Sequence, residues 1–220
     1  MLINGAKILQ FALSKEKETK IFIVIFYTVG IIGLSLTLTH ALFLELIPVA
    51  LALSFIALAI FHPSKKNKKT TIVFSGIFIL SIVIEAIGVN TGLIFGNYLY
   101  GNSLGFKVFN TPIIIGINWL FLVYTSSSVL EQLKIHVYAK IVFSSLIMLV
   151  YDIVLEQVAS KIDMWYWSNN IIPFQNYIAW FFISLFFHSI IKGMQIKTHN
   201  KLALIILISQ FVFFLSLYIL

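Results

Sequence analysis

Apolar runs of roughly twenty residues alternate along the chain with short polar breaks. A hydrocarbon layer about 30 Å thick takes roughly 20 mostly apolar helical residues to cross. The pattern therefore predicts an all-α, polytopic membrane bundle of about seven transmembrane helices, at 21–39, 42–61, 71–90, 111–131, 137–158, 174–191 and 202–220. The stretch His62-Pro63-Ser64-Lys65-Lys66-Asn67-Lys68-Lys69 reads as a solvated turn, as does Lys192-Gly193 through Lys201. The break near His40 is the least marked, because 21–61 is apolar almost throughout, and Pro48 predicts a kink in the second helix. The first apolar run follows a lysine-bearing segment, as in a signal peptide. It is long for that role and lacks a small-x-small cleavage site, so it reads as a retained helix. The chain, 1–220, reads as a single integral membrane domain.

Composition supports this pattern. Hydrophobic residues make up 60% of the chain and charged residues 10%, with a mean hydropathy of +1.01. That is too little charge to cover a soluble domain. There are no cysteines, so disulfide, zinc-thiolate and iron–sulfur chemistry are not available. The histidines are scattered without metal-ligand spacing, and no Walker loop, nucleophile elbow or dinucleotide fingerprint is present. No metal and no cofactor are expected.

The net charge of +7 comes from lysines alone, since the chain has no arginine. On the seven-span reading Lys7, Lys15, Lys17, Lys20, the Lys65–Lys69 cluster, Lys134, Lys140, Lys192, Lys197 and Lys201 share one side. Only Lys107 and Lys161 fall on the other, a division of thirteen against two. The positive-inside rule then predicts a multi-pass cell-membrane protein with a cytoplasmic N-terminus and an outside C-terminus. The positive charge orients the chain and touches anionic lipid. It is not read as a nucleic-acid surface.

Topology locates the polar residues. Four acids are counted inside the spans, Glu45, Glu85, Asp152 and Glu156, all toward the lysine-poor side. Charge within the hydrocarbon layer is costly and generally faces the bundle interior. Asn118 and Trp119, and Asn176 and Trp180, occupy the same half. Asp152 and Glu156 are four apart and share a helix face. Two carboxyls so close in an apolar layer are poorly suited to carry two charges, and a protonated acid there can give its proton to a weak base. Glu85 and Asp152 are the stronger functional candidates. Glu45 has a structural reading at the interface, Glu156 divides evenly between headgroup contact and chemistry, and His188 and Gln210 read as structural.

The loops on this side are also distinctive. Gly88, Gly92 and Gly96 would line one small helical face, a packing device by default. Trp165-Tyr166-Trp167 and Pro173 fit an interfacial aromatic belt, although aromatic faces also stabilise a nearby cation by about 0.5–2 kcal/mol.

On these residues the chain resembles the membrane carotenoid biosynthesis proteins, the family of bisanhydrobacterioruberin hydratase and related carotenoid 1,2-hydratases. The resemblance covers roughly 80–190. It rests on Glu85-x-x-Gly88-Val89-x-Thr91-Gly92-x-x-Phe95-Gly96-x-Tyr98-x-Tyr100, then Thr111-Pro112, Trp119, Asp152, Trp165-x-Trp167 and Pro173-x-x-Asn176-x-x-Ala179-Trp180. The family pattern has Gly where Ala179 stands and Asp-Pro near Glu156, departures that weaken a role for Glu156 more than for Asp152. The resemblance implies hydration of the terminal double bond of an acyclic carotenoid end group, without metal or nucleotide. On that implication Glu85 and Asp152 form the acid/base pair. Asn97, Asn118 and Asn176 hold water, and Tyr98, Tyr100, Trp119, Trp165, Trp167 and Trp180 line the pocket. Membrane lipid and an acyclic carotenoid are the expected partners, with other carotenoid biosynthesis enzymes as candidates.

Two alternatives stay open. A membrane lycopene cyclase-like isomerase would use the same protonation but trap the cation with an internal double bond. A proton or solute transporter would also use intramembrane acids, although the chain shows no inverted repeat and its acids lie to one side.

Overall fold

The computed structural model describes residues 14–63 and 67–220. Lys7, Lys65 and Lys66, which enter the lysine count, lie outside the described residues, as does Ser64. In chain order the elements are α1 (Glu16–Ser35), α2 (His40–Glu45), α3 (Ile47–Ile60), α4 (Lys68–Thr91), β1 (Tyr98–Tyr100), β2 (Lys107–Val108), β3 (Thr111–Pro112), α5 (Ile114–Glu131), α6 (Val137–Glu156), β4 (Trp165–Trp167), α7 (Phe174–Gly193) and α8 (Ala203–Ile219). A 3₁₀ turn, Ser168–Asn170, follows β4. Five helices, α1, α4, α5, α6 and α7, are long and apolar enough to cross a membrane, and α3 and α8 are shorter apolar helices. The chain is an all-α membrane bundle with two small β ribbons at one end.

The second expected helix, 42–61, is two helices instead. Thr39 Oγ1 donates to the Gly33 carbonyl at 2.8 Å, and His40 Nδ1 meets the Leu34 carbonyl at 2.6 Å, which turns the chain back after α1. The six-residue α2 then stops, and α3 starts with Pro48 in its first turn. A proline there gives up only an N–H that has no helical partner anyway, so Pro48 begins a helix rather than kinking one. With 14 residues, α3 is about 21 Å long.

α5 is the bundle's axis, touching α3, α4, α6, α7 and α8, and it is buried along most of its length. Its run of Thr125, Ser126, Ser127 and Ser128 is fully buried. Thr125 and Ser126 return their hydroxyls to the carbonyls of Phe121 and Leu122, one turn back, at 2.8 and 2.6 Å. Small side chains that satisfy themselves in this way allow close approach of neighbouring helices without orphaned polar groups.

At the lysine-poor end the loops become ordered ribbons. β1 pairs antiparallel with β4 in the register Tyr98↔Trp167, Leu99↔Tyr166 and Tyr100↔Trp165. β2 pairs with β3 across a tight turn at Phe109 and Asn110, both at positive φ, as a two-residue hairpin requires. The expected single glycine face does not form. α4 ends at Thr91 and Gly92 caps it at φ +68°, its N–H donating to the Gly88 carbonyl at 2.8 Å. Glycine takes this left-handed cap without the steric cost of a side chain, and the chain leaves the helix before Gly96 is reached.

Candidate functional site

The spacing of buried positions decides which side chains reach the bundle interior. On α4 the buried residues Thr70, Val73, Ile77, Ser81, Glu85 and Gly88 recur every three or four positions, the period of one helix face. Glu85 is therefore carried inward, nearly two turns from the end of its helix at Thr91. On α6, Asp152 and Glu156 share the inner face with Met148 and Leu155, and on α7 Asn176 and Trp180 do so. α6 packs closely along α7, which brings Asn176 against both acids.

Each carboxyl is then held by neutral donors. Glu85 Oε2 accepts the hydroxyls of Tyr98 and Tyr100, both at 2.7 Å, and Oε1 accepts the Trp119 indole N–H at 2.8 Å. Glu156 Oε2 accepts the indole N–H groups of Trp165 at 3.0 Å and Trp167 at 2.6 Å. The amide nitrogen of Asn176 donates to Glu156 Oε1 at 3.1 Å and to Asp152 Oδ2 at 3.0 Å. Asp152 Oδ1 is buried with no hydrogen-bond partner among the described residues.

The ribbon explains why four donors arrive together. Successive strand side chains point to opposite faces. Tyr98 and Tyr100 therefore turn inward from β1, and Trp165 and Trp167 turn inward from β4, while Leu99 and Tyr166 face out. One strand serves Glu85 and the other serves Glu156. Burial, and then the neighbouring Glu85 charge, push the hydroxyls of Tyr98 and Tyr100 above the ordinary tyrosine range, which keeps both as proton donors in their hydrogen bonds.

The ribbon is tied down outside the cavity by Asp163. Its carbonyl accepts Ser103 Oγ at 2.8 Å, its carboxylate accepts the Asn102 N–H at 3.0 Å and the Tyr166 hydroxyl at 2.8 Å, and Gly101 N donates to the Met164 carbonyl at 2.9 Å. A Cβ on Gly101 would collide with the Asp163 carbonyl, so this crossing admits only glycine.

Glu85 and Glu156 line one small cavity with Asn118, Asn176 and the aromatic groups of Tyr98, Tyr100, Trp119, Trp165, Trp167 and Trp180. Its volume, taken as the space open to the centre of a water molecule, is about 20 Å³, room for one ordered water. Trp119 and Trp180 stack as one wall, with ring centroids 4.2 Å apart and planes at 20°. Among the described residues no lysine pairs with Glu85, Asp152 or Glu156. The cavity thus combines carboxyls, π faces and amides, a set suited to moving a proton and to stabilising a positive charge that develops nearby.

Nine of the eleven expected site residues line this cavity. Asp152 stands behind it, joined to Glu156 through Asn176. Asn97 is exposed at the start of the ribbon, its carbonyl accepting the Ser168 N–H at 3.0 Å. Phe95 and Ile115 complete the walls, and no sequence feature marked them apart from the surrounding apolar residues. The cavity position of Glu156 had a signal in its four-residue spacing from Asp152.

The ribbon and the carboxyl cavity both lie within the stretch that matches a known family. The family model for carotenoid biosynthesis proteins matches residues 40–220. Comparison with curated proteins and with solved structures gives no match. With the match running from α2 to the end of the chain, the protein belongs to the carotenoid biosynthesis protein family.

Proposed function

We propose that the protein is a hydratase that adds water across the terminal double bond of an acyclic carotenoid end group. The observation that carries this reading is the meeting of Glu85 and Glu156 at one water-sized, aromatic-walled cavity. A neutral carboxyl protonates the chain-side carbon of the terminal alkene, breaking the π bond and leaving a tertiary cation on the terminal, dimethyl-bearing carbon. The π faces of the tryptophans and tyrosines stabilise that cation. A water held by Asn118 or Asn176 forms the new C–O bond, and a carboxylate takes the surplus proton. Glu85 from α4 and the Asp152–Glu156 pair from α6 divide the two roles. The net change is alkene plus water to tertiary alcohol, with no redox step.

The amides of Asn118 and Asn176 beside the carboxyls, which can hold a water, favour capture by water over capture by an internal double bond, the step a cyclase would use. The lysine distribution further supports a cell-membrane orientation in which the lysine-rich end faces the cytoplasm. On that orientation the cavity lies toward the outer face and the C-terminus is outside. The chain has no cysteine, so a single cysteine introduced at Leu220 is a unique label. Labelling of intact cells by an impermeant maleimide is the expected result.

The deciding experiment is expression in cells that accumulate an acyclic carotenoid, with pigments separated by chromatography and weighed by mass spectrometry. A more polar product heavier by one water is expected. A product of unchanged mass with a shortened chromophore would replace the hydratase with a cyclase. Full activity in the Glu85→Gln/Asp152→Asn double variant would remove the assignment of these acids.

A further inference from the structure

A second cavity lies between α1, α3 and α8, floored by the segment that leads from α6 into β4. Its volume, on the same measure, is about 340 Å³, within the range of small-molecule sites. Its walls include Tyr27, Leu34, Leu51 and Phe214, all buried, and no charged residue lines it. Phosphate headgroups and fatty-acid carboxylates would find no counter-charge there. The Tyr27 hydroxyl is already taken by Ser54 Oγ at 2.8 Å.

Gln210 is the exception in this lining. It sits midway along α8, is 2% exposed, and its Oε1 has no hydrogen-bond partner among the described residues. A buried acceptor without a partner is uncommon and asks for an explanation. An isolated water would answer it poorly. Water needs two to four polar partners, and apolar cavities stay dry and take apolar ligands. An apolar molecule carrying one hydroxyl satisfies both halves of the lining. The hydroxyl gives a hydrogen to the amide oxygen and can take one from the amide nitrogen, so it suits either orientation of the amide.

The cavity is distinct from the carboxyl site. Met164 lines it, and the next residue, Trp165, lines the carboxyl cavity. The two spaces share no lining residue.

We propose that this cavity is a second binding site, for a neutral isoprenoid chain bearing a hydroxyl group, with Gln210 receiving the hydroxyl. The isoprenoid class follows from membership of the carotenoid biosynthesis family and the hydroxyl from Gln210, so the site stands independently of the hydration reading.

The test uses the full chain in phosphatidylcholine nanodiscs, with induced circular dichroism of the polyene band reporting binding. The probes are an acyclic monohydroxylated carotenoid and its hydrocarbon parent. The hydroxylated probe binds about tenfold more tightly, the equivalent of one hydrogen bond. Gln210→Leu, apolar in an apolar wall, abolishes that preference and keeps hydrocarbon binding. Ala50→Phe, which fills the cavity, lowers binding of both probes at least about tenfold. Tyr166→Phe, which lines neither cavity, changes neither. An unchanged preference in Gln210→Leu overturns the proposal, as does unaltered binding of both probes in Ala50→Phe. Absence of any hydrated product in cells would count against the hydratase and leave these binding results intact.

Discussion

The two ends of the bundle treat an acid on a long apolar helix in opposite ways. At the lysine-rich end, Glu131 closes α5, an acid inside the fourth predicted span that the count of four did not include. It meets Lys192 Nζ at 3.2 Å and the Thr198 backbone N–H at 3.3 Å, and also accepts the Thr198 hydroxyl. Nearby polar groups are similarly spoken for. His188 lies between Ser126 and Ser127 at 3.2 Å each, and Asn200 donates to the Leu58 carbonyl at 2.8 Å and the Tyr124 hydroxyl at 3.0 Å. At the lysine-poor end, Glu85 and Glu156 are as well hydrogen-bonded, but by neutral donors only. An acid tied to a lysine must break an ion pair to change its protonation state. An acid held by indoles, phenols and an amide can gain or lose a proton within the same scaffold. The contrast separates an acid that fastens helices together, at the end of α5, from acids available for chemistry, on α4 and α6.

Substituting the acids at the two ends is the most direct attempt to break that contrast. Glu85→Gln keeps the shape but cannot exchange a proton, so product formation falls by at least about 100-fold, the usual size of a lost general acid or base. Glu131→Gln leaves product formation within about twofold, because its work is done in the ion pair. Its cost appears instead as lowered thermal stability, by about 1–2 kcal/mol for a part-buried pair. Equal activity losses in both variants, measured as product per folded protein in membranes, would erase the distinction. Trp167→Phe is next in size. It deletes the 2.6 Å donor to Glu156 while keeping an aromatic wall, and a loss of about tenfold in turnover is expected, less than for a carboxyl itself.

Gly101→Ala probes the scaffold rather than the chemistry. The added methyl meets the Asp163 carbonyl, so the ribbon must shift away from the loop that anchors it. A cost of about 1–3 kcal/mol follows from such overpacking. Limited proteolysis of reconstituted protein should show earlier cutting near 101–104, with the helices still protected.

The bundle was legible in the sequence because a hydrocarbon layer imposes one strong rule, long apolar helices, and those runs are written plainly from 71 to 191. The region before it was harder. Through 21–61 the apolar character is continuous, and the turn depends on two side-chain-to-carbonyl bonds from Thr39 and His40 that no periodicity announces. The ribbon was the larger omission. Tyr98–Tyr100 and Trp165–Trp167 are three residues each and sixty-odd positions apart, too short for a strand pattern to stand out from an interfacial belt. Their pairing is a tertiary fact, as is the use of inward-facing residues as donors to Glu85 and Glu156. The acids themselves were visible because a carboxyl in an apolar run is expensive wherever it falls. Which of them faced the cavity was not, since Asp152 and Glu156 lie on one helix face and only Asn176 and the β4 tryptophans separate their roles.

The smallest expected effect is also the sharpest test of the ribbon's two faces. Tyr98, Tyr100 and Tyr166 are all tyrosines on one pair of strands, and all donate to a carboxylate. Tyr98 and Tyr100 donate inward to Glu85, whereas Tyr166 donates outward to Asp163. The Asp163 bond holds the Tyr166 phenol above its ordinary range without burying it. Exposed hydrogen bonds contribute little, because water replaces them. Tyr166→Phe should therefore change neither turnover nor proteolytic protection by more than about twofold, while Tyr98→Phe, which leaves a buried carboxyl short of a donor, should lower turnover by about three- to tenfold. A loss for Tyr166→Phe as large as that for Tyr98→Phe would mean that the Asp163 anchor governs the carboxyl site as strongly as its direct donors do. The inward and outward faces of the ribbon would then have to be treated as one mechanical unit.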